Sequence, residues 1–112
     1  MSSTQFIVTT TPSIPNYKIT KTLGIVCGLT IRSRGLGGHI VADLEQLLGG
    51  EVSAYTEEML KARDEALQRA VEQAKSLGAN AIVGLDFETS NISGTAIMIS
   101  ATGTAVIAEP NE

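Results

Sequence analysis

The chain has 112 residues, of which 43% are hydrophobic and 18% are charged, and its twelve acidic and eight basic residues give a formal net charge of −4. This composition excludes disorder, because the chain has ample apolar surface to bury, and its mild acidity argues against a general nucleic-acid binder, which carries a basic footprint. The length fits one domain over residues 1–112, and a charged fraction below the roughly 25% of typical soluble domains suggests that other subunits cover part of the surface.

Two strands are expected at the beginning of the chain. Residues 6–10 are rich in β-branched side chains and are followed by two prolines, which is typical of a short edge strand. In residues 17–33 the even positions are polar or small, with Val26 as the exception, and six odd positions are apolar: Ile19, Leu23, Ile25, Cys27, Leu29 and Ile31. This period of two predicts a long strand that buries its odd-numbered face, with bends or bulges at Gly24 and Gly28.

Two helices are expected next. A glycine-rich loop at residues 34–38 leads into a first helix, closed by Gly49 and Gly50, whose apolar residues have helical spacing: Leu36, Ile40, Leu44, Leu47 and Leu48. Ser53 is expected to cap a second, longer helix that ends at Gly78. The apolar arc of this second helix covers about half of its circumference, which is more than packing on one sheet requires. Because this wide arc consists largely of alanine, it predicts close packing against a second surface, either another subunit or the first helix.

A β-hairpin is expected at the end of the chain. Apolar and polar residues alternate in residues 81–88, residues 91–94 have turn chemistry, and residues 95–108 have the pattern of a partner strand. The apolar residues of that partner share one face: Ile97, Ile99, Ala101, Ala105 and Ile107. The order β-β-α-α-β-β predicts an α+β fold in which two helices lie on one face of a mainly antiparallel sheet.

No membrane segment or secretory leader is expected. The uncharged run over residues 89–108 contains eight Ser, Thr or Asn residues and two glycines, so it is too polar to span a bilayer. The beginning of the chain lacks the basic and apolar regions of a signal peptide. Because Cys27 is the single cysteine, no intrachain disulfide can form. We therefore expect a cytoplasmic protein without a membrane partner.

Seven short segments together carry a resemblance to a known family. They are Val-Thr-Thr-Thr at 8–11, Leu-Gly-Ile-Val-Cys-Gly at 23–28, Gly-Gly-Glu at 49–51, Tyr-Thr at 55–56, Ala-Arg-Asp-Glu-Ala at 62–66, Leu-Gly-Ala-Asn-Ala-Ile-Val-Gly at 77–84 and Gly-Thr-Ala-Val at 103–106. In this order and spacing the chain resembles the YbjQ-type family of small bacterial and archaeal proteins, whose label names heavy-metal binding. The resemblance implies a dodecin-like α+β subunit of a ring-shaped homopentamer, with a metal ion as the suggested cofactor. Many members carry an aromatic residue where this chain has Thr102.

Ligands for a heavy metal are scarce in this chain. A soft-metal site requires several thiolates or imidazoles, whereas the sequence contains one cysteine, Cys27, and one histidine, His39. Cys27 lies on the apolar face of its strand, where a thiol usually acts as a small hydrophobic group. One chain therefore does not supply a conventional site, and metal binding would require a ring that brings copies of the same ligand together.

The glycine-rich loop is the best sequence candidate for a ligand site. Arg32 and Arg34 surround the end of the long strand, and His39 lies in the first turn of the predicted first helix. Free N–H groups at a helix start, together with two guanidinium groups, could bind a phosphate or carboxylate. Neither a P-loop nor a G-x-G-x-x-G pattern is present, so the alternative is a plain connection with solvated arginines.

Arg63 lies in the middle of the apolar arc of the second helix. Because an unpaired buried charge costs several kcal/mol, we expect its guanidinium to meet a carboxylate or backbone carbonyls. The favoured carboxylates are Asp86 or Glu88 of the sheet or Asp43 of the first helix, in the same chain or a neighbour. The alternative is a packed stem with the charged end in water. Asp86 and Glu88 could also form a catalytic carboxylate pair, although such pairs are more often a solvated face.

The sequence therefore predicts an oligomeric binding or interaction module without an enzymatic reaction, and the family resemblance implies that the oligomer is a homopentamer. No nucleophilic constellation can be assembled around the single histidine. The alternative is a small enzyme or carrier that binds an anionic ligand between subunits at the loop from Arg32 to His39. A structural scaffold is a third possibility.

Overall fold

The computed structural model describes residues 5–33, 53–93 and 96–111. These residues form four strands and one helix: β1 (Ile7–Val8), β2 (Tyr17–Ser33), α1 (Ser53–Ser76), β3 (Ala81–Ser93) and β4 (Ala96–Pro110). The strand order in the sheet is β1-β3-β4-β2. β4 pairs antiparallel with both β2 and β3, whereas β1 pairs parallel with β3. The predicted α+β class is confirmed, and the sheet is mixed. In the described ranges no helix is long and apolar enough to cross a membrane.

Most predicted elements agree with the observed ones. β2 spans the predicted range, and α1 begins at Ser53. The first predicted helix, which includes Leu36 and Leu48, lies outside the described residues and stays a prediction. The predicted turn at residues 91–94 is too long, because β3 continues to Ser93, where it pairs with Ala96.

The connection from α1 to β3 explains why the helix ends where it does. Gly78 has a φ of 91°, and its N–H bonds to the carbonyl of Lys75 while the N–H of Ala79 bonds to the carbonyl of Ala74, each at 3.0 Å. This is a Schellman ending, in which glycine adopts the left-handed conformation without strain. The side-chain amide of Asn80 then pairs with the backbone N–H and C=O of Ala108, both at 2.8 Å, which holds the connection against β4.

The backbone of α1 lies very close to the backbone of β2. Four alanines of α1 have no exposed surface: Ala62, Ala66, Ala70 and Ala74. They belong to a core cluster that also contains Val26, Ile82 and Ile99. A Cβ added to Gly28 would lie 2.0 Å from the carbonyl oxygen of Ala66, so the helix backbone lies directly on β2. The buried alanines therefore pack on the sheet itself, whereas Leu60 and Leu77 of the same apolar arc are 52% and 48% exposed, so the second surface stays a prediction.

β2 turns its odd-numbered face away from the helix. Val26, Gly28 and Thr30 are buried beneath α1, whereas Ile25 is 78% exposed and Ile31 is 61% exposed. The expectation that the apolar odd-numbered face is buried is therefore wrong for residues 25–31 within one chain. The physical reason is that small residues on the even-numbered face allow the helix backbone to approach, and two register shifts before Ile25 interrupt the simple alternation.

The far face of the sheet is covered only near β1. A second, smaller core contains Ile14, Ala81, Val83, Val106 and Ala108. Ile14 belongs to the segment between β1 and β2, which crosses this face before a tight turn at Asn16, where φ is 70°. On the rest of the far face Ile25, Ile31, Asp86 and Glu88 are exposed, whereas Ser100 is buried between its neighbours in the sheet.

Candidate functional site

The uncovered part of the sheet forms a surface that we call the open face. Its residues form three rows, because directly paired residues share one side of a sheet: Ile25, Cys27, Leu29 and Ile31 on β2, Met98, Ser100, Thr102 and Thr104 on β4, and Asp86 and Glu88 on β3. The surface therefore changes across its width from apolar to hydroxyl-bearing to acidic. Such a pattern suits recognition of another surface better than exposure to water.

The acidic edge of the open face contains both carboxylates predicted as a pair. Asp86 and Glu88 border a cleft of about 330 Å³ together with Thr102 and Thr104. Both side chains are exposed. The structure thus places them on one face, as their spacing requires, and on the opposite side of the sheet from α1.

The outer edge of β2 is sealed at Cys27 and Leu29 by side chains of α1. The amide of Gln73 accepts a hydrogen bond from the N–H of Cys27 at 2.9 Å and donates one to its carbonyl at 2.6 Å. Arg69 donates to the carbonyl of Leu29. These contacts occupy backbone groups that an edge strand would otherwise present to an additional strand. A shallow cleft of about 520 Å³ runs beside them.

Arg32, which is predicted to bind an anion, forms ion pairs with carboxylates of its own chain. Its guanidinium lies 3.5 Å from Glu58 and 3.5 Å from Glu65, and Glu65 also pairs with Arg69 at 3.2 Å. The group links the far end of β2 to α1. Arg34 and His39 lie outside the described residues, so an anion site at that loop stays a prediction.

Arg63 contacts an aromatic ring instead of the predicted sheet carboxylates. Its guanidinium carbon lies 5.5 Å from the centroid of the Phe87 ring, a cation–π arrangement. Because Phe87 packs toward the helix, the neighbouring Asp86 and Glu88 point to the open face, so the structure does not bring them to Arg63 within one chain. Asp43 lies outside the described residues, and pairing with it or across a subunit boundary stays a prediction.

The Arg63–Phe87 contact borders a cleft between α1 and the sheet. We call it the Arg63 cleft; it has a volume of about 430 Å³ and is lined by Thr56, Met59, Leu60, Arg63, Phe87, Thr89 and Ile99. Sequence reasoning missed Phe87 as a site residue. The signal was the strand alternation itself, because a residue between two solvent-facing carboxylates must face the helix.

Comparison with known proteins identifies the family. Residues 6–109 match the YbjQ family, described as "Putative heavy-metal-binding". The chain belongs to this family. It is 48% identical over 108 residues to a UPF0145 protein of Methanoregula boonei, covering 96% of this chain and 90% of the relative. It is 50% identical over 103 residues to a UPF0145 protein of Pyrococcus horikoshii, covering 92% and 88%.

A solved structure supports the fold of this YbjQ-family chain. A crystal structure of a DUF74-family protein of unknown function from Pediococcus pentosaceus superposes with a TM-score of 0.62, at 17% identity, covering 93% of this chain and 98% of the other. At this identity the similarity concerns the fold alone.

A single copy of this chain does not have the donor atoms needed to bind the heavy metal that the family description names. Cys27 is partly buried, and its Sγ accepts a hydrogen bond from the hydroxyl of Thr102 at 3.4 Å. The described residues contain no group of three or more His, Cys, Asp or Glu side chains that could hold a metal ion. Since the whole sequence has one cysteine and one histidine, a single chain does not supply the several thiolates or imidazoles that a conventional heavy-metal site requires.

Proposed function

We propose that this YbjQ-family protein is a homo-oligomeric binding module whose subunits associate through the open face. The observation that carries the proposal is the row of large apolar side chains on β2, where Ile25, Leu29 and Ile31 are 78%, 44% and 61% exposed. Complete burial of one such side chain stabilises an assembly by about 1.5–3 kcal/mol. A contiguous row of this kind is typical of an interaction surface.

The shape of the subunit supports the same proposal. The subunit measures 57 × 24 × 24 Å with a radius of gyration of 17.6 Å, compared with about 13 Å for a compact domain of this length. The seventeen residues of β2, at about 3.3 Å each, account for the long axis. An elongated subunit leaves more of its apolar surface in water, which association would cover.

The sealed edge of β2 favours one geometry of association over another. Because Gln73 and Arg69 occupy backbone groups at this edge, a neighbour is not expected to extend the sheet by adding a strand there. Packing of side chains on the open face remains available. In a homopentameric ring, the assembly that the family resemblance implies, the open face would contact a different surface of the next subunit.

The heavy-metal binding that the family description names would depend on assembly of the subunits. Heavy-metal binding would need copies of Cys27 brought together by a ring, since one chain offers too few soft ligands. We assign no enzymatic reaction to the protein and propose that it acts in the cytoplasm. An anion-binding carrier at the Arg32–His39 loop is less well supported, because Arg32 already pairs with Glu58 and Glu65.

Sedimentation equilibrium tests the proposal directly. The wild-type protein at micromolar concentration is expected to show no dominant monomer, whereas Ile25→Ser and Ile31→Ser should shift the population toward the monomer. Leu77→Ser is the matched control, because Leu77 is similarly exposed but directly follows α1, on the other side of the sheet from the open face. A stable wild-type monomer, or equal behaviour of all three variants, would overturn the proposed interface.

A further inference from the structure

We propose that the Arg63 cleft binds a small carboxylate with an apolar body, such as a medium-chain fatty acid. The cleft lies on the helix side of the sheet, whereas the open face lies on the other side. The inference therefore does not depend on the proposed mode of assembly. Its volume of about 430 Å³ lies within the range of small-molecule sites, about 300–1,000 Å³.

The lining of the cleft selects an apolar body. Met59, Leu60 and Ile99 contribute aliphatic surface, and the ring of Phe87 completes the wall. Methionine adapts to ligands of irregular shape because its side chain is flexible and polarizable. Leu60 is 52% exposed, so the aliphatic wall is accessible to a ligand from solution.

Arg63 selects the charge of the ligand. Its guanidinium carbon lies 5.5 Å from the centroid of the Phe87 ring, and a guanidinium carries five N–H donors, more than this contact occupies. A carboxylate can accept two parallel hydrogen bonds from such a group. Among the residues that the structure describes, Arg63 forms no ion pair with a carboxylate, in contrast to Arg32 and Arg69, which pair with Glu58 and Glu65. The cleft thus combines an apolar wall with a cation that has no carboxylate partner in the described part of the chain.

Thr89 gives the lining of the cleft a further polar side chain. An apolar site with few polar groups at one end orients a ligand that is itself polar at one end. A fully apolar ligand would not use the hydrogen-bond donors of the guanidinium, and a polyanion would place charge against the aliphatic wall. A monocarboxylate satisfies both parts of the cleft.

Calorimetric titration with decanoate, below the concentration at which it forms micelles, tests the inference. Saturable binding of one decanoate per subunit is expected. Arg63→Met should weaken binding about tenfold or more, which is the loss expected for a charge-assisted hydrogen bond. Lys61→Met is the matched control, because it removes one positive charge from the same helix outside the described lining of the cleft, and it should bind as the wild type does.

Two further measurements separate the contribution of the charge to binding from that of the apolar wall. Decanol, which keeps the chain and lacks the charge, should bind at least as weakly as decanoate binds to Arg63→Met. Leu60→Asp, at an exposed position where folding should be preserved, should also abolish binding. Absence of saturable decanoate binding, equal binding by Arg63→Met and Lys61→Met, or tight binding of decanol would overturn the proposed site. None of these outcomes bears on the sedimentation test of the open face.

Discussion

Replacement of Gly28 by alanine is expected to destabilise the protein more than any other glycine-to-alanine change in the described sheet. The new Cβ would lie 2.0 Å from the carbonyl oxygen of Ala66 and 2.6 Å from the backbone nitrogen of Ala70. Both atoms belong to the helix backbone, so no side-chain rotation can relieve the overlap. The φ of Gly28 lies outside the left-handed region, and the expected cost is therefore steric.

The magnitude follows from the distance that the helix must move. A Cβ essentially never approaches another heavy atom closer than 3.0 Å, so α1 would have to retreat by about 1 Å at Ala66. This movement would loosen the contacts of the buried alanines with β2. Overpacking costs about 1–3 kcal/mol and occasionally more, and the reduced entropy of the unfolded chain offsets only about 0.4–1 kcal/mol. We expect a net loss of about 2–2.6 kcal/mol, because an overpacking cost of about 3 kcal/mol, at the upper end of its range for a backbone obstacle, is reduced by this offset.

Guanidinium chloride unfolding measures this loss, at one protein concentration for all variants because assembly would make stability concentration-dependent. Gly103→Ala is the first control, since its Cβ would meet a side-chain methyl of Ile82 at 2.6 Å, and it should cost less. Gly84→Ala is the second, because its Cβ enters open space but its φ is 64°, which costs about 1–2 kcal/mol. If Gly28→Ala lowers the free energy of unfolding no more than Gly84→Ala does, the helix does not lie on β2 as described.

Three other changes test separate contacts. Thr30→Val removes a buried hydroxyl that donates to the carbonyl of Ala62 at 2.7 Å, and it should lower the free energy of unfolding by about 1–2 kcal/mol; no change would contradict this role. Gln73→Leu frees the N–H and C=O of Cys27 at the edge of β2, so light scattering should detect increased edge-to-edge association, and unchanged scattering would show that the seal is dispensable. Calorimetric titration of untagged protein with zinc or copper should show no tight one-per-subunit binding, and a tight isotherm abolished by Cys27→Ala would contradict the ligand argument.

Assignment of the strands and of the long helix follows from local sequence signals. The period of two in β2 and the glycine at the end of α1 depend on residues only a few positions apart. The turn after β3 is predicted too long, because Asn91 and Ser93 suit either a turn or a strand. Only pairing with β4 distinguishes the two.

The candidate site was less accessible to sequence reasoning. The sequence places Asp86 and Glu88 on one face of a strand, and the structure agrees, but it does not tell which face meets the helix. The partner expected for Arg63 within the sheet depended on that choice, because Asp86 and Glu88 lie on the face away from the helix and the ring of Phe87 contacts the guanidinium. The open face was not predicted for the same reason, because its apolar residues on β2 were expected to lie in the core.

The amino-acid sequence by itself determined the α+β class, the extent of β2, the position of α1 and the family of the chain. Only the tertiary structure decided that Val26, Gly28 and Thr30 meet the helix while Ile25 and Ile31 face outward. Periodicity shows that the two faces of a strand differ, but not which neighbour covers each one. Here a glycine and a row of alanines let backbone approach backbone, and this close contact outweighed the larger apolar side chains on the opposite face.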